Sequence, residues 1–527
     1  MKKAVVSVFL SAAIITSFAS CGKKQGGTRE TDENTLSYWV AMPPSIVSQF
    51  KSLNELPMYQ ELEKRTGVHI DFIHPPTGQV NEQFSLMLAS KDYPDMIEAS
   101  WVIYPGGQAK AIKDNVIIPL NDIMPKCAPD AWGKITGNPL FDRLSKTDDG
   151  DYYMFPYLND SNFRIFGGLM LRADWLKELN LSVPTTIDEW ETVLTAFKEK
   201  KGATAPFTAQ SALVNGSYSV NAFNGAFDVG KRIYVDDGEV KFGPMEDSYK
   251  DWLTLMNKWY KTGLLDVDYA TNDSSAVISK MSNGEAGATF GFVGGTLGPL
   301  LQIMEDKDPN FDLVAAPYLS KNNDGKPGFA ALESDVVDSG SLVITTACSN
   351  PELAAKWANN FYTEDGEKLR SFGVENESYT VDEDNQIKFT DEILNNENGV
   401  SVVEMAQRYA RTAEACPGYG SQKNMENLYE QIYKYDRQIE AFGLWSEATD
   451  SAREHLFPAI TAVSDEADEF SALNIEICTY LDEMIFKFVN GTEPLENFDQ
   501  FRENLKKLNV ERYIEIQSNA YKKFLER

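Results

Sequence analysis

The sequence predicts an α/β fold of at least two lobes, and three observations lead there. At 527 residues the chain exceeds the size at which one hydrophobic core keeps growing. Its opening third alternates short β-type runs with helical ones. At its centre, Gly167 to Leu171 is apolar enough for a buried strand and feeds directly into Ala173 to Leu179, where Trp175, Leu176 and Leu179 share one helical face. Pro184 stops the connection. Thr186 and Glu189 then have the spacing of a capping box, and Trp190, Val193, Leu194 and Phe197 follow at i, i+3, i+4, i+7 as a second helix.

From the first residue, Lys2 and Lys3 precede an apolar run from Ala4 to Phe18 and a small-residue site at Ala19, Ser20 and Cys21. Residues 1–20 are expected to be an export signal, too short to serve as a spanning helix. Cys21 resembles the acceptor of a bacterial lipobox, although Phe18 and Ser20 replace the usual leucine and Gly or Ala. Lipidation at Cys21 would anchor the chain to the membrane, with residues 21–35 as a polar tether.

Beyond that segment no run of apolar residues is long enough to span a bilayer. The formal charge of -30 argues against nucleic acid and against anionic membrane surfaces as partners. Cys127, Cys348, Cys416 and Cys478 lie far apart, which leaves disulfides and buried free thiols both open. His69, His74 and His455 do not cluster, so no metal and no cofactor is expected.

Leu36 to Val40 is a strand candidate, and Pro57 to Thr66 a helix closed by Gly67. Val68, Ile70 and Phe72 alternate as a strand, Asn81 to Ser90 is helical, and Asp95 to Ala99 is a third strand. Parallel strands joined by helices place a ligand beyond their carboxyl ends. Further along, Thr147 to Tyr157 carries an Asp-Gly turn, and Ser248 to Thr262 is a helix. Ser274 to Asn283 is another, ended by Gly284, with Ala286 to Phe292 as the strand after it. Ser341 to Thr346 is a β-branched strand, and Asn350 caps a helix carrying Trp357. Asp382, Asp384 and Asn385 lack the glycine and closing glutamate of a calcium loop, so a hairpin turn is expected there. Phe470 to Arg527 reads as a helix pair or triplet.

Several of these stretches carry a resemblance. LRADWLKELNL…PTTIDEWETVLTAFK resembles the segment after the first interlobe crossing in extracellular solute-binding proteins of ABC importers. YPDMIEASW, TDDGDYYMFPY and SKMSNGEAGATFGF are similar to further strands and a crossing of that superfamily. YTEDGEKLRSFGVENESYTVDEDNQIKF and the tail PLENFDQFRENLKKLNVERYIEIQSNAYKKF resemble its lipoprotein subgroup assigned to oligosaccharide and aldouronate uptake. The resemblance implies a periplasmic-binding-protein-like fold: two α/β lobes around a hinge and ligand cleft, with a helical C-terminal extension. It places residues 36–160 and 287–340 in the first lobe, and 161–286 and 341–527 in the second. It further implies a monomer that captures an oligosaccharide and hands it to membrane permease subunits. A peptide ligand, or a role as tethered glycan sensor or scaffold, are the competing readings.

No GxSxG, HExxH, phosphate loop or dinucleotide fingerprint is present, so an enzyme is not expected. A sugar site needs flat apolar faces for the pyranose and planar polar groups for its hydroxyls, and 12% of the residues are aromatic. Trp190, Trp252 and Trp357 fall on helical apolar faces and are assigned to packing. Trp39 and Trp101 sit at strand ends, where ligand contact and core are both open. Tyr157, Phe292 and Trp445 lie near crossings or irregular segments and are ligand candidates. Arg172 either grips hydroxyls or a uronate, or forms a structural ion pair. Glu333, with Asp335, is a candidate acceptor of ligand hydroxyls or an exposed loop acid.

Overall fold

The computed structural model describes residues 33–210, 223–383, 386–396, 400–460 and 466–527. The export signal, Cys21, nearly all of the tether, and Asp384 and Asn385 lie outside the described residues. Where described, the chain forms two main sheets, each with its own core.

The first sheet starts as its sequence dictates. Strands β1 (Thr35–Trp39) and β2 (His69–Ile73) pair in parallel from Thr35↔His69 to Trp39↔Ile73, and β3 (Met96–Ala99) pairs in parallel on the other side of β1. The Pro57–Thr66 helix makes the first crossover. Proline suits its first turn, where no N–H partner is needed, and Gly67 at φ 68° ends it. Its buried Met58, Tyr59 and Leu62 cover the sheet. The strands β4 (Phe155–Asp160), β11 (Val336–Ile344) and β14 (Gly418–Ser421) complete the order β14-β4-β11-β3-β1-β2, in which β11 runs antiparallel to β3 and β4.

The second sheet has β5 (Gly167–Arg172), buried along its whole length, at its heart. Its order is β10-β5-β9-β6, with β6 at Phe207–Thr208, β9 at Ala288–Phe292 and β10 at Leu313–Ala315. The second helix after β5, Ile187–Lys201, is capped as expected: Thr186 Oγ1 accepts from the Glu189 N–H, and Trp190, Val193, Leu194 and Phe197 are buried. Two hairpins sit outside these sheets, β7 (Ile233–Asp236) with β8 (Glu239–Phe242), and β12 (Tyr379–Val381) with β13 (Ile387–Phe389). The second of these is the hairpin expected around Asp382.

Sheet membership differs from the expected lobe limits. The resemblance places residues 287–340 in the first lobe, yet β9 and β10 flank β5 in the second sheet, with Gly167↔Phe292 and Arg172↔Leu313 in register. The chain rejoins the first sheet only at β11. From residue 341 on, the rest of β11, the Pro351–Asn359 helix with Trp357, and β14 belong with the first sheet and core, not the second. Periodicity marks which face of an element is apolar; it does not name the sheet that covers it.

Each core contains buried polar anchors. Asp266, 2% exposed, accepts hydrogen bonds from Lys280 at 2.7 Å, Thr208 at 2.7 Å, the Asp268 N–H at 3.0 Å and Asn272 at 2.8 Å. Burial pushes its pKa up, but these donors outweigh burial and hold the carboxyl below its usual range. A depressed folded-state pKa stabilises the fold above the unfolded carboxylate value, ~3.9, and that stabilisation is lost as pH falls through the lower folded-state value. Asp266→Asn is therefore expected to lower stability at neutral pH and to flatten its acid dependence. Denaturant melts from neutral pH down through this range test it, and an unchanged acid slope would contradict it.

The C-terminal extension consists of helices Ala467–Asn490, Phe498–Lys507 and Val510–Glu526, packed on the second core. Asn257 Nδ2 donates to the Phe488 carbonyl at 2.7 Å, which ties the longest of them to the Asp247–Lys261 helix. The final residue crosses over. Arg527 meets Asp148 at 2.6 Å and the Lys146 carbonyl at 2.7 Å, in the turn that precedes β4 of the first sheet. Among the described residues no helix is long and apolar enough to cross a membrane.

Candidate functional site

A cavity of about 670 Å³ opens between the two cores. That is within the ~300–1,000 Å³ typical of small-molecule sites. Its walls come from segments far apart in sequence. Ser100 and Val102 follow β3, Tyr157 and Asn159 come from β4, residues 330–334 lead towards β11, and Val336 and Val337 open it. The 413–415 loop and the Gln422–Ile432 helix complete it.

Alternation along β4 turns Tyr157 and Asn159 to the cavity and packs Leu158, fully buried, into the first core. The Tyr157 hydroxyl donates to the Met425 sulfur at 3.1 Å, and burial raises its pKa. The Arg370 guanidinium lies 4.7 Å from the centre of the same ring. Arg370 is 1% exposed, and its Nη1 donates to the Glu414 carbonyl at 3.3 Å. A second aromatic wall carries Phe166, Tyr429 and Tyr433; Tyr429 stacks on Tyr433 at 5.6 Å and 9°, and meets Phe166 edge-on at 5.6 Å.

Two glutamates face this space. Burial raises the pKa of Glu333, against the lowering influence of Arg164. Glu414 is also raised by burial, although Arg411 opposes it. Arg411 Nε donates to one oxygen of Glu414, while the other, Oε1, has no hydrogen-bond partner among the described residues. Behind it, Arg411 Nη2 donates to Glu98 Oε1 at 2.8 Å and Nη1 to the Tyr59 hydroxyl at 3.2 Å. The Tyr38 hydroxyl donates to the second oxygen of Glu98. The loop is pressed onto β11 at Gly340, where a Cβ would lie 1.6 Å from the Ala415 carbonyl oxygen. Ala413, at φ 56°, occupies the left-handed region that costs a residue with a Cβ.

Of the residues singled out from the sequence, Tyr157 and Glu333 line the cavity. Trp39, Trp101, Arg172, Phe292 and Trp445 are not among its lining. Trp101 is fully buried, edge-on to Phe84 at 5.6 Å, while its neighbours Ser100 and Val102 face the cavity, so the expectation misses by one position. Trp39, 4% exposed, packs against the same Phe84. Trp445 donates its indole N–H to the Ala316 carbonyl at 3.0 Å and presses on Gly168, where a Cβ would lie 2.3 Å from the ring. Arg172 takes the structural alternative: it is bidentate to Asp174 at 2.8 and 2.6 Å, between the rings of Trp175 and Phe311. Phe292 is partly buried against the second core. Asp335 pairs with Arg164 at 2.7 Å and Arg453 at 3.3 Å and is buried, not an exposed loop acid. Trp190, Trp252 and Trp357 are core, as assigned, and the cysteines Cys127, Cys348, Cys416 and Cys478 are free thiols.

The sequence reading missed Arg370, Glu414, Tyr429 and Tyr433. One signal was available: Met425, Tyr429, Ile432 and Tyr433 form an i, i+4, i+7, i+8 stripe, which marks a buried face though not a cavity. Aromatic faces with carboxylates between them suit a polyhydroxylated solute, covering its C–H surfaces and accepting from its hydroxyls.

Two α/β sheets, each with its own core, flank a shared cavity, which is the architecture of a two-lobed solute-binding protein. The model of the bacterial extracellular solute-binding protein family matches residues 48–368, and the chain belongs to that family. It is 24% identical to the fructooligosaccharide ABC transporter substrate-binding protein FusA of Streptococcus pneumoniae, over 98% of each chain. With lipoprotein LipO of Bacillus subtilis it shares 24% identity over 72% of this chain and 74% of that one. Among solved structures, the alginate-binding protein AlgQ2 superposes with a TM-score of 0.70 at 22% identity, covering 93% of this chain and 99% of that one. An extracellular solute-binding protein from Bifidobacterium longum subsp. infantis reaches 0.75 at 17% identity, covering 93% and 98%. At these identities the superpositions speak for the fold.

Proposed function

We propose that the protein is the capture component of an ABC importer, taking a neutral oligosaccharide into the cavity between its cores and delivering it to a membrane permease. It acts as a monomer held at the membrane by lipid on Cys21. The observation that carries the sugar reading is the pairing of the Tyr157 and Tyr429–Tyr433 ring walls with the carboxylates of Glu333 and Glu414 in one cavity. Neutral sugars are favoured because two carboxyl side chains, Glu333 and Glu414, line the cavity, and a ligand carboxylate beside them would add like-charge repulsion. FusA, which resembles this chain along its length, carries a fructooligosaccharide in its name. Tyr157, Glu333, Glu414 and Tyr429 are the proposed contacts. Closure by lobe rotation would select the liganded conformer without changing any bond in the sugar.

Thermal melting against neutral oligosaccharides, acidic oligosaccharides and short peptides tests this. A ligand at a hundredfold excess over its Kd stabilises by about 2.7 kcal/mol. Neutral sugars should raise the midpoint; a response to peptides alone would overturn the ligand class, and hydrolysis of a sugar would overturn the reading itself. Glu333→Gln should weaken sugar binding by roughly tenfold or more, as expected for a lost hydrogen bond to a charged group, yet melt no lower than the parent because a desolvated carboxylate is removed. Cys21→Ser should move the protein from the membrane fraction to the soluble one; retention on the membrane would rule out the lipid anchor.

A further inference from the structure

The cavity between the cores has a neighbour. A smaller space of about 250 Å³ adjoins it, and Ala330, Leu332 and Leu456 line both. On its own it falls below the ~300 Å³ at which pockets begin to hold a whole small ligand. Shared walls and small size make it a side chamber of the first cavity.

Its far end is built for a polar ring. Phe329 and His455 stack at 5.1 Å and 25°, and Tyr234 of β7 meets Phe329 edge-on at 5.3 Å. His455 ends the Thr449–His455 helix, and its Nδ1 lies 2.9 Å from the Val235 carbonyl. That bond places a proton on Nδ1, so in the neutral imidazole Nε2 is the acceptor. Gly328 makes the position possible: a Cβ there would lie 2.7 Å from Cδ2 and 2.9 Å from Nε2 of the imidazole. Ser451 Oγ donates to the Pro327 carbonyl at 2.8 Å and fastens this loop to the same helix.

We infer that this side chamber is a second subsite, taking the distal unit of an oligosaccharide whose other end lies between Tyr157 and Tyr429. The ligand is then an elongated chain that passes Leu332 and Leu456, and His455 Nε2 accepts a hydroxyl of its last unit. This rests on the sugar-capture reading above and adds to it a requirement on ligand length.

The test is calorimetric titration of the purified protein with size ladders of inulin-type, xylo- and malto-oligosaccharides, each step adding one unit. Kestose is the shortest inulin-type probe. For the ladder that binds, affinity should rise stepwise from its short members to its long ones. Gly328→Ala, which displaces the imidazole, and His455→Ala, which removes its acceptor, should each weaken the longest members about tenfold, a change of ~1.4 kcal/mol, and leave the shortest unchanged. Unchanged binding of the short member also shows that the variants are folded. Equal losses at every length, no loss at any length, or a parent affinity independent of length would each overturn the subsite while leaving the cleft reading intact. Failure of every ladder to bind the parent protein would overturn the sugar-capture reading, and the subsite with it.

Discussion

Arg411→Met is expected to lower folding stability by about 3–5 kcal/mol, the range for removing one partner of a buried ion pair. Arg411 is 4% exposed and joins three segments at once: Glu98 at the end of β3, Tyr59 on the first crossover helix, and Glu414 on the cavity loop. Its loss strands the Glu98 carboxylate, 8% exposed, with only the Tyr38 hydroxyl and no cation. The double variant Glu98→Gln with Arg411→Met removes the stranded charge as well and should recover a large part of the loss. Urea denaturation of the parent, both single variants and the double variant forms the required cycle. A drop of under ~1 kcal/mol for Arg411→Met, in the range of a surface ion pair, would refute the buried-anchor role.

Trp445→Ala should cost a comparable amount, about 3–5 kcal/mol. The indole is fully buried in the second core, and its N–H bond leaves the Ala316 carbonyl satisfied beside β10. Trp445→Phe keeps most of the packing but orphans that carbonyl, so it should lose ~1–3 kcal/mol. Measured well below its melting temperature, Trp445→Phe should retain parent affinity for the sugar that binds. Normal stability combined with abolished binding would place Trp445 in the site and contradict the packing described above.

Neither Arg411 nor the packing role of Trp445 was legible in the sequence. The elements themselves were readable wherever local chemistry determines them: Thr186 caps its helix, Gly67 ends another, and β1, β2 and β3 pair in parallel as their crossovers require. Sheet membership was not readable, because β9 and β10 carry the same apolar signature whichever sheet accepts them. Parity at strand exits defeated the choice of Trp101, since one residue either way exchanges core for cavity. Arg370 and Glu414 were out of reach for another reason: they belong to segments that meet only after the cores assemble, and each is unremarkable among its sequence neighbours, while the stripe through Tyr429 marks a buried face and not a cavity. Arg172 was undecidable until Asp174 proved to hold it.

The last residue of the chain gives the fold a property that belongs to neither lobe. The tail is packed on the second core, yet Arg527, whose side chain is 4% exposed, ends against Asp148 of the first. If the lobes rotate about the cavity as proposed above, such a bond acts as a restraint strap: any swing that parts the two groups leaves a desolvated guanidinium without its counterion. The strap's energy therefore enters the balance between open and closed forms. Through it, a residue outside the cavity lining would set part of the affinity for a solute.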